Sequence, residues 1–191
     1  MSQIEIDGPL QDFFQKSSIA LALSFADADN TLAFVNDPFC RLSGYDASEV
    51  LGKNCRMLQT SPEGIRAPNE DARSKIHEFL RADGPATIRT PIVNFRKDGR
   101  PFVNLLFMSK LKAGSGAVRY FLASQFDISR AQPHLLQDYN TELGDALTRI
   151  KPLLDDHNLM IEGTLATIAN STTTIAQAKL TLAELELNSP Y

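Results

Sequence analysis

Histidine and cysteine are scarce in this chain. Its 191 residues include three histidines and two cysteines. His77, His134 and His157 are scattered, and Cys40 and Cys55 do not form a CxxC pair. That spacing argues against a zinc site, and haem or iron–sulfur ligation has no better support, so no metal is expected. A Cys–His nucleophile lacks its flanking signals, and two cysteines in this composition do not make a disulfide framework. Positive charge is also short: 19 Lys and Arg stand against 23 Asp and Glu, for a net charge of -4. No basic stripe offers itself to nucleic acid. No apolar run approaches the ~20 residues of a membrane span, and "MSQIEIDGPLQDFF" is too polar and acidic for a signal peptide. Walker, GxGxxG and GxSxG patterns are missing. These absences lead us to expect a soluble cytoplasmic protein that is not an enzyme.

What is present falls into three parts. Residues 1–20 form an N-terminal helical cap, with Leu10, Phe13 and Phe14 at helical spacing after Gly8-Pro9. Two readings stand for it: it covers its own domain, or it packs on a partner chain. Residues 21–127 form the core. "LALSFAD" and "TLAFVN" flank "DADN" and read as two strands and a tight turn. Short helices follow. The first has Asp37 as N-cap and Pro38 at its first position. The second carries an Asp46–Glu49 capping box, with Gly52 as its stop. The third places Ala72, Ile76, Phe79 and Leu80 on one face. "ATIRTPIVNFR", "PFVNLLFMSKL" and "AVRYFLASQFD" then read as strands joined by glycine-containing turns. The fold class is α+β: a five-stranded antiparallel sheet with helices on one face and a cavity between them.

Residues 128–191 are a linker and a C-terminal helix-turn-helix extension. Leu136, Tyr139, Leu143, Leu147, Ile150 and Leu154 form one stripe; Ile161, Leu165, Ile168, Ile175, Leu182 and Leu185 form a second. Neither helix can bury its stripe alone, so both must pack on the core or on another subunit.

The other unusual feature is a set of carboxamides: Asn54, Gln59, Asn94, Asn104 and Gln125. Asn94, Asn104 and Gln125 lie inside otherwise apolar strands, and Asn94 and Asn104 flank the "KDG" turn. A buried carboxamide needs partners for both its donor and its acceptor. Several converging on one cavity suit a heterocycle that alternates N–H and C=O groups. Each could instead satisfy local backbone.

The stretch "GKNCRMLQ", Gly52–Gln59, closely resembles the G-x-N-C-R-F-L-Q signature of the LOV domains, the flavin-binding blue-light sensors of the PAS fold. "VNFRKDG", "FVNLLFMSKL" and "YFLASQFDIS" follow in the expected order, so the resemblance spans Leu21 to Asp127. A core with flanking helices and no enzyme domain is similar to the bacterial short LOV proteins. The resemblance implies roles by position. Cys55 forms the photoadduct with flavin carbon C4a. Asn54 and Gln59 bind the ribityl chain and ring, and Arg56 holds the phosphate. Asn94 and Asn104 pair with the pyrimidine edge. Gln125 faces N5 and O4 and relays the signal. Phe39, Leu80 and Leu106 supply apolar walls.

The sequence also departs from the signature. Met57 stands where phenylalanine is usual, and the segment "TSPEGIRAPNEDARSK" is long. His77 falls where many members carry a second phosphate-binding arginine, with Arg66 and Arg73 as possible substitutes; Arg73 joins the expected cofactor set. The long segment leaves room for FAD, but Arg56 as one clear phosphate ligand favours FMN. The C-terminal stripes and the Phe13–Phe14 face offer more apolar surface than a small monomer tolerates, which implies a light-sensitive homodimer. An unknown protein partner is a further possibility. The alternative function is a light-inert PAS module that binds a ligand or a partner.

Overall fold

The computed structural model describes residues 8–129, 133–162 and 172–187. Helix α1 spans Gly8–Lys16, and strands β1 (Ala20–Phe25) and β2 (Leu32–Val35) follow. Helices α2 (Asp37–Ser43) and α3 (Ala47–Val50), a 3-10 turn at Cys55–Gln59, and helix α4 (Glu70–Leu80) make up the helical segment. Strands β3 (Thr87–Phe95), β4 (Pro101–Ala113) and β5 (Val118–Asp127) lead into α5 (Pro133–Asp156), β6 (Leu159–Ile161) and α6 (Thr172–Leu187).

The sheet is antiparallel, in the order β2-β1-β5-β4-β3, and β6 makes it six-stranded by pairing with β4. The sequence reading placed Ile161 in a helical stripe. Instead Ile161 pairs with Leu111, where β4 runs on beyond its pairing with β3. Three residues are too few for periodicity to reveal. Leu165 and Ile168 of that stripe lie outside the described residues.

Local chemistry explains most boundaries. The β3–β4 turn places Gly99 at φ 86°, which glycine adopts without strain, and Gly99 N–H donates to the Arg96 carbonyl at 2.9 Å. Asp46 and Glu49 form the expected capping box on α3. For α2 the expected cap is corrected: Asn36, not Asp37, is the N-cap. Its Oδ1 accepts from Phe39 N–H at 3.1 Å and Leu21 N–H at 2.9 Å. Its Nδ2 donates to the Phe14 and Ile19 carbonyls at 3.0 and 2.9 Å. An aspartate could not donate, so one buried amide ties α1, β1 and α2 together.

Strand alternation decides which side chains face where. Even-numbered residues of β1, β3 and β4 and odd-numbered residues of β5 share the inner face, because Leu106 pairs with Gln125, Ala20 with Gln125, and Ile92 with Asn104. The outer face presents Leu21, Leu23, Val103, Leu105, Phe107 and Leu122. There the structure differs from a sheet covered on one side. Tyr139, Leu143, Ile150 and Leu154 of α5 are buried in the same cluster, and so are Leu10 and Phe14 of α1. Each such apolar side chain contributes up to about 1.5–3 kcal/mol on burial. The cap therefore covers its own domain. The Phe14 ring lies 5.3 Å from Phe34, and the Arg149 guanidinium sits 5.8 Å from the Phe13 ring. The α5 stripe that implied an external partner is satisfied within the chain. No helix among the described residues is long and apolar enough to cross a membrane.

Candidate functional site

A cavity of about 570 Å³ lies between the inner face of the sheet and the helical segment. That is within the roughly 300–1,000 Å³ of small-molecule sites. From the helical side come Asn54, Cys55, Arg56, Met57 and Gln59 of the 3-10 turn and its cap, with Arg73, Ile76, His77 and Leu80 of α4. From the sheet come Asn94, Asn104, Leu106 and Gln125. The expected site residues are thus brought together, with one exception. Phe39 is fully buried but does not line the cavity; it packs in the adjoining cluster with Cys55, Met57 and Leu106.

Other lining residues were missed: Ala22 and Ser24, Ile92, Met108, Phe121 and Ala123. All are two or four residues from another lining position on the same strand. Period two, extended from Asn94, Asn104 and Gln125, would have found those on β3, β4 and β5.

The 3-10 turn is held from its N-terminus. Asn54 Oδ1 accepts from Arg56 N–H at 2.8 Å, and Asn54 Nδ2 donates to the Asp29 carbonyl. This turn carries Cys55. The residue is partly accessible and lines the cavity. Burial pushes the Cys55 thiol up to about 12. Burial thus favours the protonated thiol over the thiolate at neutral pH.

The carboxamides form a chain. Asn104 Nδ2 donates to Asn94 Oδ1 at 3.0 Å and to Gln125 Oε1 at 3.3 Å. Asn94 Nδ2 donates to the Val93 carbonyl at 3.2 Å. Two polar atoms of this chain of amides are left buried with no partner among the described residues, Asn104 Oδ1 and Gln125 Nε2. Each such group costs about 1–3 kcal/mol unless something satisfies it. One is an acceptor and the other a donor, so a ligand edge that offers both groups would satisfy the pair.

Three arginines and a histidine also line the cavity: Arg56, Arg66, Arg73 and His77. Arg56 is two-thirds exposed and pairs with Asp29 at 2.5 Å. The Arg73 guanidinium is held by protein groups: Nε donates to Gln59 Oε1 at 2.9 Å, and the terminal nitrogens reach Glu70 and the Ala67 carbonyl. Arg73 thereby fixes Gln59, a link that sequence spacing could not reveal.

This assembly has relatives. A profile of the PAS domain matches residues 18–130. The chain is 30% identical to the LOV domain of the Erythrobacter litoralis blue-light activated histidine kinase and covers 98% of that structure, with a TM-score of 0.51 over 59% of this chain. The chain belongs to the LOV group of the PAS domain family. The crystal structure of the Rhodobacter sphaeroides LOV protein is similar over a longer span, 91% of this chain and 88% of that one, at 25% identity and a TM-score of 0.64. A Brucella anthropi blue-light-activated histidine kinase is 36% identical over 104 residues, which are 53% of this chain. That match spans 19% of the kinase's length. Among the described residues of this LOV chain, no group of three or more His, Cys, Asp or Glu side chains could hold a metal ion.

Proposed function

We propose that this LOV chain is a blue-light photoreceptor that binds a flavin, FMN rather than FAD, in the cavity lined by Cys55. The observation that carries this reading is the pair of orphaned polar atoms, Asn104 Oδ1 and Gln125 Nε2. A flavin pyrimidine ring carries N–H and C=O groups along one edge and satisfies both. Asn94, Asn104 and Gln125 hold that edge. Asn54 and Gln59 meet the ring and ribityl chain, and Leu80 and Leu106 pack on its faces.

A bound flavin would supply the blue-light photochemistry, and Cys55 would supply the thiol that gives up its proton and bonds reversibly to the ring. A buried thiol suits this role, since it stays unreactive in the dark. Gln125 would answer a change in the ring's hydrogen bonding by turning its amide, because a carboxamide can exchange its donor for its acceptor. The protein supplies position and a water-poor site; the chromophore supplies the photochemistry. The absorption spectrum tests the reading. Purified protein should be yellow, bleach under blue light and recover in darkness. Colourless or light-inert protein would leave a PAS module that binds some other ligand or partner.

The phosphate assignment yields a prediction. Arg56 is paired with Asp29, so a flavin phosphate would compete with that carboxylate. Asp29→Asn should raise affinity for FMN relative to riboflavin by up to about fivefold, the scale of an exposed ion pair. Fluorescence titration of apoprotein with both flavins checks it. If both affinities move alike, Arg56 does not hold the phosphate.

The output is assigned to altered subunit association, as a second element of the proposal. With the α5 stripe buried on its own sheet, such a contact would use exposed apolar residues of the C-terminal extension, among them Leu135, Met160, Leu180 and Leu187. Light scattering over a concentration series should give a dimer in darkness and a lower mass in light. A monomer throughout would remove association as the output.

A further inference from the structure

Gln125 lies on the inner face of β5, and its two neighbours point the other way. Ser124 and Phe126 face α5 across the outer side of the sheet, and both meet one residue there. The Tyr139 hydroxyl is 2.7 Å from Ser124 Oγ, with both groups buried. The Tyr139 ring stacks on Phe126, centroids 4.5 Å apart and planes 9° from parallel. Burial pushes the Tyr139 hydroxyl up to about 12, so it remains a neutral hydrogen-bonding group at physiological pH. The next residue adds a second polar tie, as Asn140 Oδ1 accepts from Arg89 at 2.5 Å. Elsewhere α5 meets the sheet through apolar side chains, which tolerate sliding better than a directional hydrogen bond does. A void of about 10 Å³ borders Ser124 between Phe107, Leu143 and Ile150, so packing there is not complete.

We propose that Tyr139 is the latch through which β5 controls α5: its bond to Ser124 is made in the dark and broken when Gln125 reorients. This rests on the photoreceptor reading, since Gln125 is the input. Tyr139 touches neither the cavity nor the thiol. It is a positioning residue for the signal, and its loss should leave adduct formation unchanged. A displacement of β5 by about half an ångström would lengthen the 2.7 Å hydroxyl pair past the ~3.0 Å limit of good O–H···O geometry. Apolar contacts change little over the same distance, so the hydroxyl pair is the first contact to respond.

The test is hydrogen exchange over residues 133–156, in dark and light, for the wild-type chain, Tyr139→Phe and Ser124→Ala. Tyr139→Phe keeps the ring on Phe126 and removes only the hydroxyl. If light opens the latch, a chain without it starts in the lit condition. Dark exchange of α5 should rise about fivefold, to the wild-type lit level, with little further change on illumination. Ser124→Ala should behave the same way, and the double variant should add nothing. A purely structural hydroxyl would raise exchange equally in dark and light and preserve the ratio; that result overturns the latch. So does a wild-type protein that bleaches with no light-dependent change in α5, which would leave the photoreceptor reading intact. Wild-type protein that never bleaches ends that reading first, and the latch with it.

Discussion

Cys55→Ala should retain flavin and lose reversible bleaching altogether. The groups assigned to hold the ligand are Asn94, Asn104, Gln125 and Arg56, and none depends on the sulfur. Removing one small side chain from a cavity of about 570 Å³ should change flavin affinity by no more than about fourfold. In the proposed chemistry bleaching, by contrast, requires a new bond to sulfur. Cys40 cannot take over that role. It sits on α2 and is not among the cavity-lining residues. Burial and the neighbouring Asp37 and Asp46 carboxylates also hold its thiol pKa up. Absorption spectra of Cys55→Ala and Cys40→Ala, before and after illumination, separate the two. Reversible bleaching in Cys55→Ala would remove the thiol from the chemistry.

Gln125→Leu should separate photochemistry from signalling. The change removes the orphaned Nε2 and leaves Asn104 Nδ2 still bonded to Asn94, so the apoprotein should be as stable as wild type or more so. Bleaching should persist, since Cys55 and the ring are untouched. The light-induced change in hydrogen exchange across α5 should largely vanish, because leucine has no donor and acceptor to exchange. The two variants fail differently. Gln125→Leu should remain at the wild-type dark level, whereas Tyr139→Phe should begin at the lit level. An undiminished light response in Gln125→Leu would place the outward route elsewhere.

Much of the fold was legible because it is written in local chemistry. The turns at Gly99 and Gly116, the capping box at Asp46 and the alternation of β3 to β5 are each decided within a few residues. The carboxamides could be picked out for a similar reason: amides in apolar strands demand partners. What was not legible depends on distant chain segments. Asn36 and Asp37 are both good caps beside Pro38, and only the carbonyls of Phe14 and Ile19 decide in favour of the amide. Strand β6 exists because β4 outruns β3. The Arg73–Gln59 and Arg56–Asp29 pairs join residues 14 and 27 positions apart, as loop closure brings them together. The burial of the α5 stripe on its own sheet could not be told from burial on a second subunit, because periodicity shows that a face is apolar and not what covers it.

The central claim is that the Cys55 thiol is protonated in the dark and consumed by light. Infrared difference spectroscopy of the S–H stretch measures this directly, in a Cys40→Ala background so that Cys55 carries the only thiol. The light-minus-dark spectrum should show loss of that S–H band in step with flavin bleaching, and its return at the rate of dark recovery. A flavin that bleaches and recovers while the S–H band stays constant would contradict the account.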